Sequence, residues 1–147
     1  MKSNLLALLI GDAERKHIAQ LGQLGYAQRQ LDQAQSTAQM LADYMAQQQT
    51  KATPAVGQQA NSQDLLIAQG FRAKLTLALQ QQSVQVSSRI DALGHTQEQV
   101  NIAARRLRSV ERLLQRRQKK LRNQEARFDQ QQTDERASQI AIRKQSQ

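Results

Sequence analysis

From Leu65 to Phe128 the chain places an apolar residue at every seventh position: Leu65, Leu79, Val86, Leu93, Val100, Leu107, Leu114, Leu121 and Phe128, with Arg72 the one exception. A seven-residue apolar repeat held this long is the seam of a left-handed coiled coil, since 3.5 residues per turn keeps one stripe facing a partner helix. The companion positions Ala68, Leu75, Gln82, Arg89, Thr96, Ala103, Val110, Arg117, Gln124 and Gln131 are mixed and turn polar toward the C-terminus, so the seam weakens there. Composition agrees. The 147 residues include 29 Gln, 20 Ala and 18 Leu, helix formers all, against 6 Gly and 1 Pro; aromatics are 3% and mean hydropathy is -0.71. So little bulky apolar material argues against a thick globular core and for long helices in one domain.

The single proline divides the helical sequence. Pro54 lacks the N–H a helix interior needs and stands among small residues from Thr50 to Gly57, so one helix ends near residue 49. Asn61 or Ser62 can cap the next, with Asp64 in its first turn. The expected fold is all-α: helix one over about 12–49, a loop over 50–61 and helix two over about 62–143, paired as an antiparallel coiled coil. In helix one a matching seam runs through Leu24, Ala27, Leu31, Ala34, Ala38, Leu41 and Met45. Ile18 and Leu21 precede it out of step, which reads as a stammer. At 1.5 Å per residue the helices reach roughly 57 and 120 Å, so helix two should overhang helix one beyond about residue 100.

Charge falls on that overhang. Residues 1–50 carry four basic and four acidic groups, residues 51–100 four and three, and residues 101–147 thirteen and five, so eight of the nine excess positive charges lie in the last third. The cluster comprises Arg105, Arg106, Arg108, Arg112, Arg116, Arg117, Lys119, Lys120, Arg122 and Arg127, read as surrounding the helix. An acidic partner is implied. A solvated helix and a basic nucleic-acid-binding coiled coil are the competing readings; the second is disfavoured because the Leu heptads run through the basic cluster and stacking aromatics are missing there. The apolar row that accompanies these charges calls for a partner in trans.

No catalytic or metal constellation is present in the pattern. There is no cysteine, His17 and His95 stand apart within helical sequence, and the Pro-containing loop lacks a Gly-rich phosphate cradle. The expectation is a protein that is not an enzyme, with no cofactor, no metal and no small-molecule substrate. The run Leu5–Ile10 is short for a signal sequence, lacks a cleavage pattern and falls far below the ~20 residues that span a bilayer, so a cytoplasmic location is expected. Tyr26, Tyr44, Phe71 and Phe128 are the only aromatics. Tyr44 and Phe71 should fall at similar heights near the loop, either packed across the seam or exposed for docking.

The early apolar run followed by charge, the Leu41-Ala42-Asp43-Tyr44 step before a Gly-containing loop, Phe71-x-x-x-Leu75-x-x-Ala78, and a basic Leu-heptad tail ending Asp134-Glu135-Arg136-Ala137 together resemble the flagellar type III export protein FliJ family over nearly the whole length. The resemblance includes the family's injectisome counterparts and does not separate the two systems. The resemblance implies a nonenzymatic stalk of two helices, similar to the central stalk of rotary ATPases, whose paired termini enter a hexameric, FliI-like export ATPase. It also implies docking on an FlhA-like export gate protein through positions matched here by Leu41, Tyr44, Phe71, Leu75 and Ala78. The family pattern adds a Gln, a second Tyr and a His where this chain has Thr37, Gln48 and Gln82. On the ATPase side the charged candidates are Arg15, Lys16, Arg112, Arg116, Arg117, Lys119, Lys120 and Arg122. Export chaperones are a further candidate partner class, and the implied location is peripheral to the inner membrane at the export apparatus.

Overall fold

The structure, a computed structural model, describes residues 2–51 and 62–146. It contains two helices, α1 (Lys2–Lys51) and α2 (Ser62–Gln145), which pack against each other as an all-α antiparallel hairpin. Ser62 opens α2 with Asp64 in the first turn, where a carboxylate faces the positive end of the helix dipole. The loop expected around Pro54 lies outside the described residues.

α1 begins ten residues before the expected start at about residue 12. The reason is the Leu5–Ile10 run: Leu6 and Ile10 turn toward α2 and extend the seam, and Gly11 does not interrupt the helix. α2 likewise continues past 143, to Gln145.

An unbroken alternation of three and four runs through half-buried and buried positions on α1: Leu6, Ile10, Ala13, His17, Gln20, Leu24, Ala27, Leu31, Ala34, Ala38, Leu41, Met45 and Gln48, with Gly11, Asp12, Gly25 and Gln30 half-buried beside it. The expected stammer is absent. Ile18 is 66% exposed and Leu21 also faces outward, while the polar His17 and Gln20 occupy the seam in their place. On α2 the expected seam holds, with every heptad and companion position from Ala68 to Arg117 at least half-buried. Leu65 at its start is exposed.

The core is thin. Among the described residues only Ala13, Leu31, Ala34 and Leu75 are buried, so alanines on α1 let the backbones approach where bulkier side chains would hold them apart. The hydroxyls of Thr37, Thr76, Thr96, Ser109 and Thr133 each donate to the carbonyl four residues earlier, satisfying themselves within their own helix.

The chain divides into two compact units, His17–Ile102 and Met1–Lys16 with Ala103–Gln147. Within the first, register is marked by Gln82, whose Nε2 donates to the Ala34 carbonyl at 2.9 Å, and by Tyr44 against Phe71. Within the second, Leu107, Val110, Leu114 and Arg117 are half-buried, whereas every residue from Gln118 to Ser146 is exposed. The uncovered part of α2 therefore starts after Arg117 rather than near 100, because the early start of α1 adds about 15 Å of cover.

Candidate functional site

Near the loop end of the unit His17–Ile102, the rings of Tyr44 and Phe71 meet edge to face, with centroids 5.9 Å apart and planes at 80°. Such a pair is worth about 0.5–1.5 kcal/mol beyond burial, and it fixes both rings. Each remains open to solvent, Tyr44 at 43% and Phe71 at 41%. The rings thus pack on each other and each still presents an exposed edge. Leu75 is buried and Leu41 and Ala78 are half-buried, so these three support the pair from the seam more than they face outward. Of the departures from the family pattern, Thr37 is exposed, Gln48 occupies a seam position and Gln82 is engaged with the Ala34 carbonyl.

The second candidate lies in the unit Met1–Lys16 with Ala103–Gln147. Arg116, Lys119, Lys120 and Arg127, with Asn123 and Gln124, line one shallow concavity of about 290 Å³ on the outside of α2. The basic cluster is thus not spread evenly around the helix. These four cations share one face, while Arg117 is half-buried on the seam side, and Arg112 and Arg122 are exposed. Beside them the apolar row continues uncovered, with Leu121 49% and Phe128 60% exposed.

Arg15 and Lys16 belong to this same unit. Lys16 Nζ pairs with Asp12 Oδ2 at 3.0 Å, the one ion pair among the described residues. The Asp12 carboxyl is held below its ordinary range, first by the hydrogen bond from Lys16, which outweighs the opposing effect of desolvation, and then by the charges of Lys16, Arg15 and Arg106. Arg15 folds back toward Gly11, where an added Cβ would meet its Nη1 at 3.4 Å.

His17 is half-buried and His95 exposed, and no group of three or more His, Cys, Asp or Glu able to hold a metal occurs among the described residues. No described helix is long and apolar enough to cross a membrane.

The sequence profile of the family described as Flagellar FliJ protein matches residues 2–146. The chain belongs to this family. The match spans both helices, including the aromatic pair and the basic face, and FliJ membership ties the chain to flagellar protein export. No match was found among curated proteins or among solved structures.

One feature of the FliJ-family chain escaped sequence reasoning. A groove on the flank of the first unit passes between Tyr26 and Arg89. The signal was an arginine at a seam position with no acidic residue placed to meet it.

Proposed function

We propose that this chain is a nonenzymatic stalk and adaptor of the flagellar export apparatus. In this reading it binds and promotes a hexameric, FliI-like export ATPase and connects it to an FlhA-like export gate protein, at the inner membrane without crossing it. The observation that carries the reading is the part of α2 after Arg117, which keeps an apolar row and a basic face, every residue from Gln118 to Ser146 being exposed among the described residues. A lone helix in water gains little from propensity, so a segment built this way is completed by a partner that covers Leu121 and Phe128 and offers carboxylates to the cations. Tyr44 and Phe71, with Leu41, Leu75 and Ala78 beneath, form the gate-docking surface; Arg15, Lys16, Arg112 and Arg122 add to the ATPase-facing charges, and Arg117 contributes from the seam side.

The test is ATP turnover by the partner ring beside a pull-down with the cytoplasmic domain of the gate protein. Replacing Arg116, Lys119, Lys120 and Arg127 with Gln removes four charges at similar helix propensity. Stimulation of the ATPase should be lost and gate binding kept. Unchanged stimulation would show that this face only solubilises the helix, and would move the ring contact to Arg15 and Lys16.

A further inference from the structure

Two contacts set the register of the hairpin within the unit His17–Ile102, the Gln82 amide on the Ala34 carbonyl and Phe71 against Tyr44. Carried along both antiparallel helices at equal rise, this register puts Gly94 level with Gly22, Thr96 with Gln20 and Gln99 with His17. His17, Gln20, Thr96 and Gln99 are all half-buried, so polar side chains from both helices share one height of the seam. Elsewhere in the unit each polar seam residue is level with an apolar one: Arg72 with Met45, Gln82 with Ala34, Arg89 with Ala27 and Gln48 with Ala68.

The bonding and the backbone differ at this height too. Gln82 is satisfied across the seam at 2.9 Å, whereas the buried Oε1 of Gln20 has no hydrogen-bond partner among the described residues. The hydroxyl level with it, that of Thr96, donates to the Ala92 carbonyl of its own helix at 2.8 Å. Glycine stands here on both helices, Gly22 and Gly25 on α1 and Gly94 on α2, and a Cβ added at Gly22 or Gly94 would meet nothing within 4 Å. All three features act in the same direction. A seam without bulky apolar side chains gains little from closing, an unpaired acceptor recovers a water on opening, and glycine weakens the helix that carries it.

We propose that residues 17–25 of α1 and 92–99 of α2 form a yielding joint in the hairpin. The two helices part at this height and admit water to the Gln20 amide, while the seam around Leu31, Ala34 and Leu75, which holds three of the buried side chains, stays closed. A coiled coil with one soft height bends there first, so a displacement imposed on the hairpin is absorbed by about three turns of each helix rather than by unfolding of the whole seam. Gly22, Gly25 and Gly94 let the backbones take up that bend, and the polar side chains lose little when water replaces their neighbours. The joint belongs to this chain alone and stands whether or not the ATPase and gate readings hold.

The experiment is amide hydrogen exchange of the full chain without any partner, read by mass spectrometry in water and in low urea. Peptides over 17–25 and 92–99 should exchange about a hundredfold faster than those over 31–38 and 75–86, yet still more slowly than the exposed part of α2 after Arg117. Low urea should accelerate exchange over 31–38 and 75–86 and scarcely change it at the joint, because a local opening exposes little surface. Two variants fill the joint, Gly22→Ala with Gly94→Ala, and His17→Leu with Gln20→Leu. Both favour the helix or the seam, so neither threatens folding, and circular dichroism confirms their helicity. Each should slow exchange over 17–25 and 92–99 about tenfold. Equal protection at the joint and in the seam around Leu31 and Leu75, or the same urea dependence in both, would show that the hairpin opens as one unit and would overturn the inference. Fast exchange at the joint that neither variant slows would overturn it as well, since the glycines and the polar seam residues would then not be its cause.

Discussion

Gln20 shows how a single seam residue can work against the fold. Its Oε1 is buried without a hydrogen-bond partner among the described residues, at a position whose neighbours in the seam are His17 and Leu24. A buried acceptor left unpaired costs about 1–3 kcal/mol, so Gln20→Leu should raise stability by about 1–2 kcal/mol. Urea unfolding followed by circular dichroism reads this as a higher midpoint at unchanged slope; a lower midpoint would mean that the amide earns its place through its other end. Leu75→Ala should act in the opposite sense, by about 2–3 kcal/mol in the same measurement, since it empties one of the few buried sites. Asp12 gives a pH-dependent contribution. Its carboxyl is depressed in the folded state by Lys16, Arg15 and Arg106, so its stabilisation is present above the ordinary aspartate pKa of about 4 and is lost as pH falls through the lower folded value. Carboxyl NMR should find its midpoint below that of a free aspartate, and Asp12→Asn should flatten the acid limb of stability slightly, the group being well exposed.

At the scale of the helix, two glycines are open places for improvement. An added Cβ at Gly22 or Gly70 meets nothing within 4 Å, so the backbone pays the entropic cost of glycine with no packing reason for it. Gly22→Ala and Gly70→Ala should each add about 0.5–1 kcal/mol, read as a raised melting midpoint. A second expectation separates covered from uncovered turns of α2. Amides between Leu75 and Val100, backed by the seam, should exchange with solvent far more slowly than those after Arg117, which have only their own helix to protect them. Uniform protection along α2 would contradict this. The same contrast explains what the sequence disclosed. The seam of α2 was legible because its apolar repeat is nearly complete and no proline interrupts it. On α1 the rule of choosing apolar residues selected Ile18 and Leu21, but heptad geometry keeps its phase once set at both ends, and it carried His17 and Gln20 inward instead. The start of α1 was misplaced for a related reason: a run apolar on all sides has no phase of its own and is assigned only when α2 is beside it. Tyr44 and Phe71 were paired correctly because a short connection fixes heights on both helices, whereas the groove at Arg89 depends on what does not face it, which periodicity alone does not reveal.

Across the whole molecule, most of the excess charge and the Tyr44–Phe71 pair lie in different units, with Phe128 in the basic one. Eight of the nine excess positive charges lie in the last third, and the Tyr44–Phe71 pair lies in the unit His17–Ile102. Two partners of different chemistry can thus be recognised by surfaces that share no residues. Substitutions far apart and without shared partners act independently, so the four-Gln variant of the basic face and the double aromatic variant should each leave the other's partner unaffected. The association kinetics should differ as well. In the proposed reading a row of cations steers encounter with the ATPase, and exposed charges are screened once the Debye length falls below about 10 Å, near 0.1 M salt. Between about 0.05 and 0.3 M salt the association rate of the wild-type chain with the ATPase should fall steeply, while that of the variant lacking Arg116, Lys119, Lys120 and Arg127 should be slower at low salt and nearly flat. Stopped-flow fluorescence with a labelled ring measures both. A wild-type rate indifferent to salt would remove charge steering from the account and leave Leu121 and Phe128 as the recognition element, in which case Phe128→Ala should abolish the association that the charge variant retains.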